Sequence, residues 1–206
     1  MTARARMGWA AAVCLAVLTF ALGVAARPLL ISDSPSPPQF SADEIGFLQD
    51  MSAHHQQALL MTTRLPPSAD ASVRTLATQI DDTQRTEIGT MQGWLTLAGA
   101  LPTNPHPMAW MRSTHEHHET PAATMPGMAS TDELDALAAA AGDQADRQFL
   151  TLMRRHHSGG VLMAQAAAAQ LPDGPVRRMA RGMFTDQTRE TAVMTLLLER
   201  DGAQPR

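Results

Sequence analysis

Apolar and polar residues follow one another along this chain in long blocks, each bounded by proline, glycine or a helix-capping residue. An uncharged run over residues 7–26 comes first, preceded by Arg4 and Arg6 and closed by Arg27-Pro28. Ser32-Asp33-Ser34-Pro35-Ser36-Pro37-Pro38 follows as a polar spacer, expected to be extended. Ser41-Ala42-Asp43-Glu44 is a capping box, which predicts a helix from about 42 to about Leu65, where Pro66-Pro67 ends it. Ser68 is the predicted cap of a second helix that runs to about Ala98 and stops at Gly99. Residues 100–129 carry five prolines and predict irregular structure. Ser130-Thr131-Asp132-Glu133 is a second capping box, opening a short helix to about Ala141. Gly142-Asp143 interrupts it, a long helix reaches Leu171, and a last helix covers about 175–200.

The blocks repeat. Phe47-Leu48-x-x-Met51-x-x-His54-His55 recurs as Phe149-Leu150-x-x-Met153-x-x-His156-His157, and Met61 and Met163 each follow six residues later. The following helices match as well: Gln84-x-x-Glu87-x-x-x-Met91 aligns with Gln187-x-x-Glu190-x-x-x-Met194. The unit is a helix hairpin present twice. One hairpin cannot bury its own apolar face, so two of them predict an all-α four-helix bundle. The expected organisation is an N-terminal hydrophobic helix over 1–27, a Pro/Ser-rich linker over 28–40 and one domain over 41–201. That domain divides into a first hairpin (41–99), a linker (100–130) and a second hairpin (131–201).

Composition narrows the chemistry. There is no Tyr, with only three Trp and five Phe, so the core is built from Ala, Leu, Val and Met, which favours packed helices. Net charge is −4, every basic residue is Arg, and no basic stripe points to nucleic acid. The single cysteine, Cys14, lies in the N-terminal run. Any metal site beyond it must use nitrogen, oxygen and thioether sulfur, which excludes cysteine-based zinc and iron–sulfur sites.

Positive charge before an apolar run is the opening of an export segment. The run of 20 residues is long enough to span a bilayer, while Gly23-Val24-Ala25-Ala26 offers small residues for cleavage. Either a transmembrane anchor or a cleaved signal places the rest outside the cytoplasm. The expected partners are a metal ion and, through this segment, the membrane; self-association into a homo-oligomer stays open.

Four of the eight histidines form the doublets. Residues three, four and seven apart share a helix face, so Met51, His54, Ala58 and Met61 make one stripe, and Met153, His156, Gly160 and Met163 its counterpart. His55 and His157 point about 100° away, toward a helix–helix seam. Thioether is a soft donor that favours Cu(I), and imidazole accepts copper in either oxidation state. The expected metal ligands are therefore Met51, His54, His55, Met61, Met153, His156, His157 and Met163, with copper preferred over zinc or iron. Gln84, Glu87, Gln187 and Glu190 are expected to orient the imidazoles by hydrogen bonds. Met91, Met179, Met183 and Met194 read as core filling. The linker adds secondary candidates: His106, Met108, Met111, His115, His117, His118, Met125 and Met128.

The Phe-Leu-x-x-Met-x-x-His-His pattern, the Gln-x-x-Glu-x-x-x-Met helix and the linking Met125-Pro126-Gly127-Met128 resemble the domain-of-unknown-function 305 family, which includes CopM-like periplasmic copper-binding proteins. The resemblance covers about residues 41–201. It implies a ferritin-like fold and copper bound through Met and His, for sequestration, tolerance or delivery. Two departures stand out between the halves: Asp50 against Leu152, and Gln57-Ala58 against Gly159-Gly160. Either is expected to weaken or reshape the second half's site. Two other classes remain: a metal-dependent enzyme using Glu87 or Glu190 as base, and a partner-binding bundle with satisfied histidines. No catalytic constellation is visible, so an enzyme is not the expectation.

Overall fold

The computed structural model describes residues 3–30, 39–111 and 125–203. Every regular element among them is a helix: α1 (Ala3–Leu30), α2 (Ala42–Arg64), α3 (Ala71–Leu97), α4 (Thr131–Ala139), α5 (Asp143–Gln170) and α6 (Pro175–Ala203). The Pro/Ser spacer over 32–38 and the linker histidines His115, His117 and His118 lie outside the described residues.

The chain divides into two units, Met1–Pro38 and Gln39–Arg206. In the first, α1 continues through Arg27-Pro28 rather than ending there. Its large apolar side chains that are described, Phe20 and Leu22 among them, are exposed. Among the described residues no helix is long and apolar enough to cross a membrane. The expected transmembrane anchor is therefore without support.

In the second unit, local chemistry sets the helix starts. At Ser41 both bonds of the capping box form: Glu44 N donates to Ser41 Oγ (3.2 Å) and Ser41 N to Glu44 Oε2 (2.8 Å). Ser130 and Glu133 repeat the arrangement at α4. The cap of α3 is a correction: Asp70 holds it, accepting from Ser72 N at 2.8 Å. Ser68, the expected cap, instead accepts from Gly142 N across the fold. Gly142 takes a positive φ of 52° at the start of α5 with no side-chain cap, a conformation glycine reaches at little cost.

Helix α2 packs along α3, α5 along α6, and α2 crosses α5. Two apolar clusters result. The first joins Phe47 and Met51 of α2, Met91 of α3, Met163 and Ala167 of α5, and Val176 and Met183 of α6. The second joins Met61 of α2, Ile80 of α3, Phe149 and Met153 of α5, and Met194 of α6. The start of α2 thus meets the end of α5 and the reverse, so these two helices run antiparallel.

The linker is tied down at both described ends. On the outward side, Asp50 Oδ2 accepts from Met108 N (2.7 Å), Trp110 Nε1 (2.9 Å) and Asn104 Nδ2 (3.1 Å). Trp110 stands edge-on to Phe47, centroids 5.2 Å apart, over Gly46, where a Cβ would already press on the indole. On the return side, the Gln57 amide both accepts from Ala129 N (2.7 Å) and donates to Ala129 O (2.9 Å). A Cβ on Gly159 would overlap the Pro126 carbonyl. These contacts give both departures between the halves a structural role. Asp50 and Gly159 are where the linker docks, on α2 and α5 respectively.

Candidate functional site

Between the two apolar clusters lies a polar layer. Along α2, His54 and His55 fall between Met51 of the first cluster and Ala58 of the second; along α5, His156 and His157 fall between Met153 of the second and Met163 of the first. All four imidazoles are fully buried. The His54 and His156 rings stack, with centroids 3.8 Å apart and planes at 29°. This is the centre of the α2–α5 crossing, and it joins equivalent residues of the two halves.

Hydrogen bonding decides which nitrogen of each ring carries the proton. His54 Nε2 lies 3.0 Å from the Pro126 carbonyl, and His156 Nε2 lies 3.0 Å from the His54 carbonyl. A carbonyl only accepts, so Nε2 donates in both rings and Nδ1 is left with a bare lone pair. The outer rings follow suit: His55 Nε2 meets Glu87 Oε2 at 2.8 Å and His157 Nε2 meets Glu190 Oε2 at 2.7 Å. These carboxylates keep 17 % and 19 % of their side-chain exposure, so each outer histidine connects the interior to the surface. None of the four buried Nδ1 atoms has a hydrogen-bond partner among the described residues.

Burial sets the charge state of the central pair. Loss of solvent, followed by repulsion from His55, pushes His54 down to about 3. His156 is driven well below its ordinary value by burial first, then by its neighbours His54, His157 and His55. Both rings are neutral at physiological pH, the form that binds metals.

The expected ligands separate in space. Met51 and Met163 belong to the first cluster, Met61 and Met153 to the second. The antiparallel crossing therefore divides the four sulfurs into two pairs, one on each side of the histidines, and Met51 and Met153 do not share a cluster. Glu87 and Glu190 each accept a hydrogen bond from an outer histidine. Gln84 and Gln187 are buried, and among the described residues no atom of either amide has a hydrogen-bond partner. Gln187 rests against Gly160, where a Cβ would collide with its Oε1. Among the described residues no three His, Cys, Asp or Glu side chains are grouped to hold an ion.

Of the linker candidates, His106 is exposed, in a surface groove with Asn104 and Trp110. Met108 is buried in the first cluster, and Met111 and Met125 pack against it half-buried. Met128 is half-buried and belongs to neither cluster. Sequence reasoning noticed Asp50 only as a mismatch with Leu152. An acid in a register that is otherwise repeated and apolar was the available signal for its role. Ser52 Oγ, in the same buried stretch of α2 and without a partner among the described residues, carries no signal in the sequence.

Residues 44–198 match the family model described as Domain of unknown function (DUF305). The solved structures similar to this chain include the following three. A DUF305 protein of Streptomyces coelicolor, described as secreted, is 38% identical over 81% of this chain and 99% of its own, with a TM-score of 0.71. A DUF305 fragment from Deinococcus radiodurans is 32% identical over 79% and 99%, with a TM-score of 0.64. CopM in its Cu(II)-bound form is 25% identical over 79% and 99%, with a TM-score of 0.55. No curated protein matches.

Proposed function

The chain belongs to the DUF305 family, and from that premise we propose that it is an extracytoplasmic protein that binds copper through Met and His, for sequestration, tolerance or delivery. On this reading residues 41–201 are a ferritin-like four-helix bundle made of two tandem hairpins. The secreted relative supports the location, and the copper-bound CopM supports the metal.

One observation carries the reading: four buried imidazole Nδ1 atoms in one layer of the core, none with a partner among the described residues. A buried polar atom without a partner costs about 1–3 kcal/mol, and four of them at repeated positions are expensive unless they serve a ligand. A lone pair on neutral imidazole is a metal donor, and the Nε2 bonds already orient each ring. His54, His55, His156 and His157 would supply nitrogen, with Met51 and Met163, or Met61 and Met153, supplying sulfur from either side. This donor set is soft to borderline and suits copper across its two common oxidation states. The carboxylates a hard iron or zinc site would recruit, Glu87 and Glu190, are engaged by the outer histidines.

The arrangement favours binding over catalysis. Glu87 and Glu190 hold imidazoles rather than facing an open position, and the central rings are sealed against each other. Anaerobic Cu(I) titration of the full chain against a competing chelator tests the proposal. The His54→Ala, His156→Ala double variant is expected to compete at least about tenfold less well. Equal competition by a folded double variant would overturn it and leave the stacked pair as a structural element.

A further inference from the structure

The two apolar clusters are related by the repeat, but their sulfur content is not. Each holds the equivalent trio: Met51, Met91 and Met163 in the first, Met153, Met194 and Met61 in the second. The second has no other methionine. The first gains Met108 and Met183 in its core, with Met111, Met125 and Met179 packed against it. On the α3–α6 register, Met179 and Met183 correspond to Leu76 and Ile80, ordinary aliphatic residues in the second cluster. Eight of the chain's 14 methionines therefore meet at one end.

We propose that this end is a second, sulfur-only site for a soft monovalent cation, formed where Met108, Met111 and Met125 of the linker close over Met51, Met163 and Met183. The inference rests on the copper-binding reading but not on the histidines. Met108 is the non-glycine residue at positive φ among those described, at 66°. That backbone conformation is unfavourable for an L side chain. It is held by the bond from Met108 N to the buried Asp50 carboxylate, which also fixes Trp110. Filling an apolar gap requires no such device, because leucine at a relaxed position fills volume as well. The construction places one thioether in a chosen spot.

The methionines also grade in depth. Met111, Met125 and Met179 are half-buried, while Met51, Met163 and Met183 are fully buried. This gives a thioether path from the surface to the interior. Neutral thioethers bind Cu(I) or Ag(I) and offer little to Zn(II) or hard cations. The linker end is thus suited to the reduced ion, and the histidine layer to copper in either state.

Ag(I), a redox-inert probe for Cu(I), tests this in the full chain. Wild type is expected to show by X-ray absorption a sulfur shell around silver beside nitrogen from the histidine layer, and the His54→Ala, His156→Ala variant should keep the sulfur shell. The volume-conserving Met108→Leu, Met111→Leu, Met125→Leu variant should lose the shell and about one equivalent of silver, with at least about a tenfold fall in affinity. Met183→Ile, which installs the residue type of Ile80 outside the linker, should weaken the same equivalent and serves if the triple variant does not fold. Retention of the full silver complement and the same shell in either folded variant overturns the inference. Silver bound through nitrogen alone would sink this site and leave the histidine proposal standing; no binding of Ag(I) or Cu(I) would sink both.

Discussion

The two ends of the helical core draw on equivalent residues of the repeated sequence, yet among the described residues only one end gathers the linker's methionines and Trp110. At that end Asp50 holds Met108, Trp110 and Asn104, and extra methionines converge beneath them. At the other end Leu152 stands in place of Asp50 and sits in an ordinary aliphatic cluster. The middle layer is nearly symmetric: each outer histidine holds a glutamate at 2.7–2.8 Å, and the central rings stack on each other. The repeated doublets form a nearly symmetric polar layer, and the linker contacts make the ends unequal. The asymmetry concentrates in a few positions, Asp50, Gln57 and Gly159, that touch linker backbone or fix its side chains.

Acid should produce the largest effect, because it acts on the layer both halves share. His54, at about 3, and His156, well below 6.5, are both depressed chiefly by burial. A base depressed on folding binds fewer protons in the native state. Stability is therefore full above the unfolded value of about 6.5 and is lost as pH falls toward the folded values. The slope is about 1.4 kcal/mol per pH unit for each ring. Urea unfolding of the metal-free chain is expected to lose up to about 4 kcal/mol between pH 7 and pH 5, and the His54→Ala, His156→Ala variant should flatten the dependence. Equal stability at both pH values would mean that the rings are solvated and the layer is not closed.

Asp50→Leu gives the end that gathers the linker methionines the residue of the other end. It strands the Met108 amide and the Trp110 indole N–H, so a loss of about 3 kcal/mol is expected. Trp110 emission should shift to the red as the linker lifts. A change below about 1 kcal/mol with unshifted emission would show that the linker is held by packing alone.

Glu87→Gln and Glu190→Gln should have the smallest effect, about 1 kcal/mol each, since both carboxylates are partly solvated and the amide still accepts a hydrogen bond. The sharper expectation is equality. Chemical denaturation giving clearly different losses would break the symmetry of the layer and point to one half as the principal site.

Much of the fold was legible along the chain, and particular residues show why. Ser41 with Glu44 and Ser130 with Glu133 are local devices, and each forms as written. Ser68 was misleading because the cap is held by Asp70, two residues on, while Ser68 is taken by a distant partner, Gly142 N. The doublets were readable as buried positions on a repeated stripe. The separation of Met51 from Met153 was not, because helix spacing carries no information about which way a neighbouring helix runs. Gly159-Gly160 looked like a loss of side chains from a site. In the fold these glycines also make room for the Pro126 carbonyl and the Gln187 amide.

The sequence by itself determined the helices, their duplication, the thiol-free donor set and the presence of two imidazoles on each central helix. Those follow from spacing and capping, which act over a few residues. Tertiary structure alone decided that His54 stacks on His156, that their Nδ1 atoms are left unpaired, and that methionines from four helices and the linker gather at one end. Those outcomes depend on the antiparallel crossing of α2 and α5 and on where the linker docks, and both are settled by contacts between residues distant along the chain.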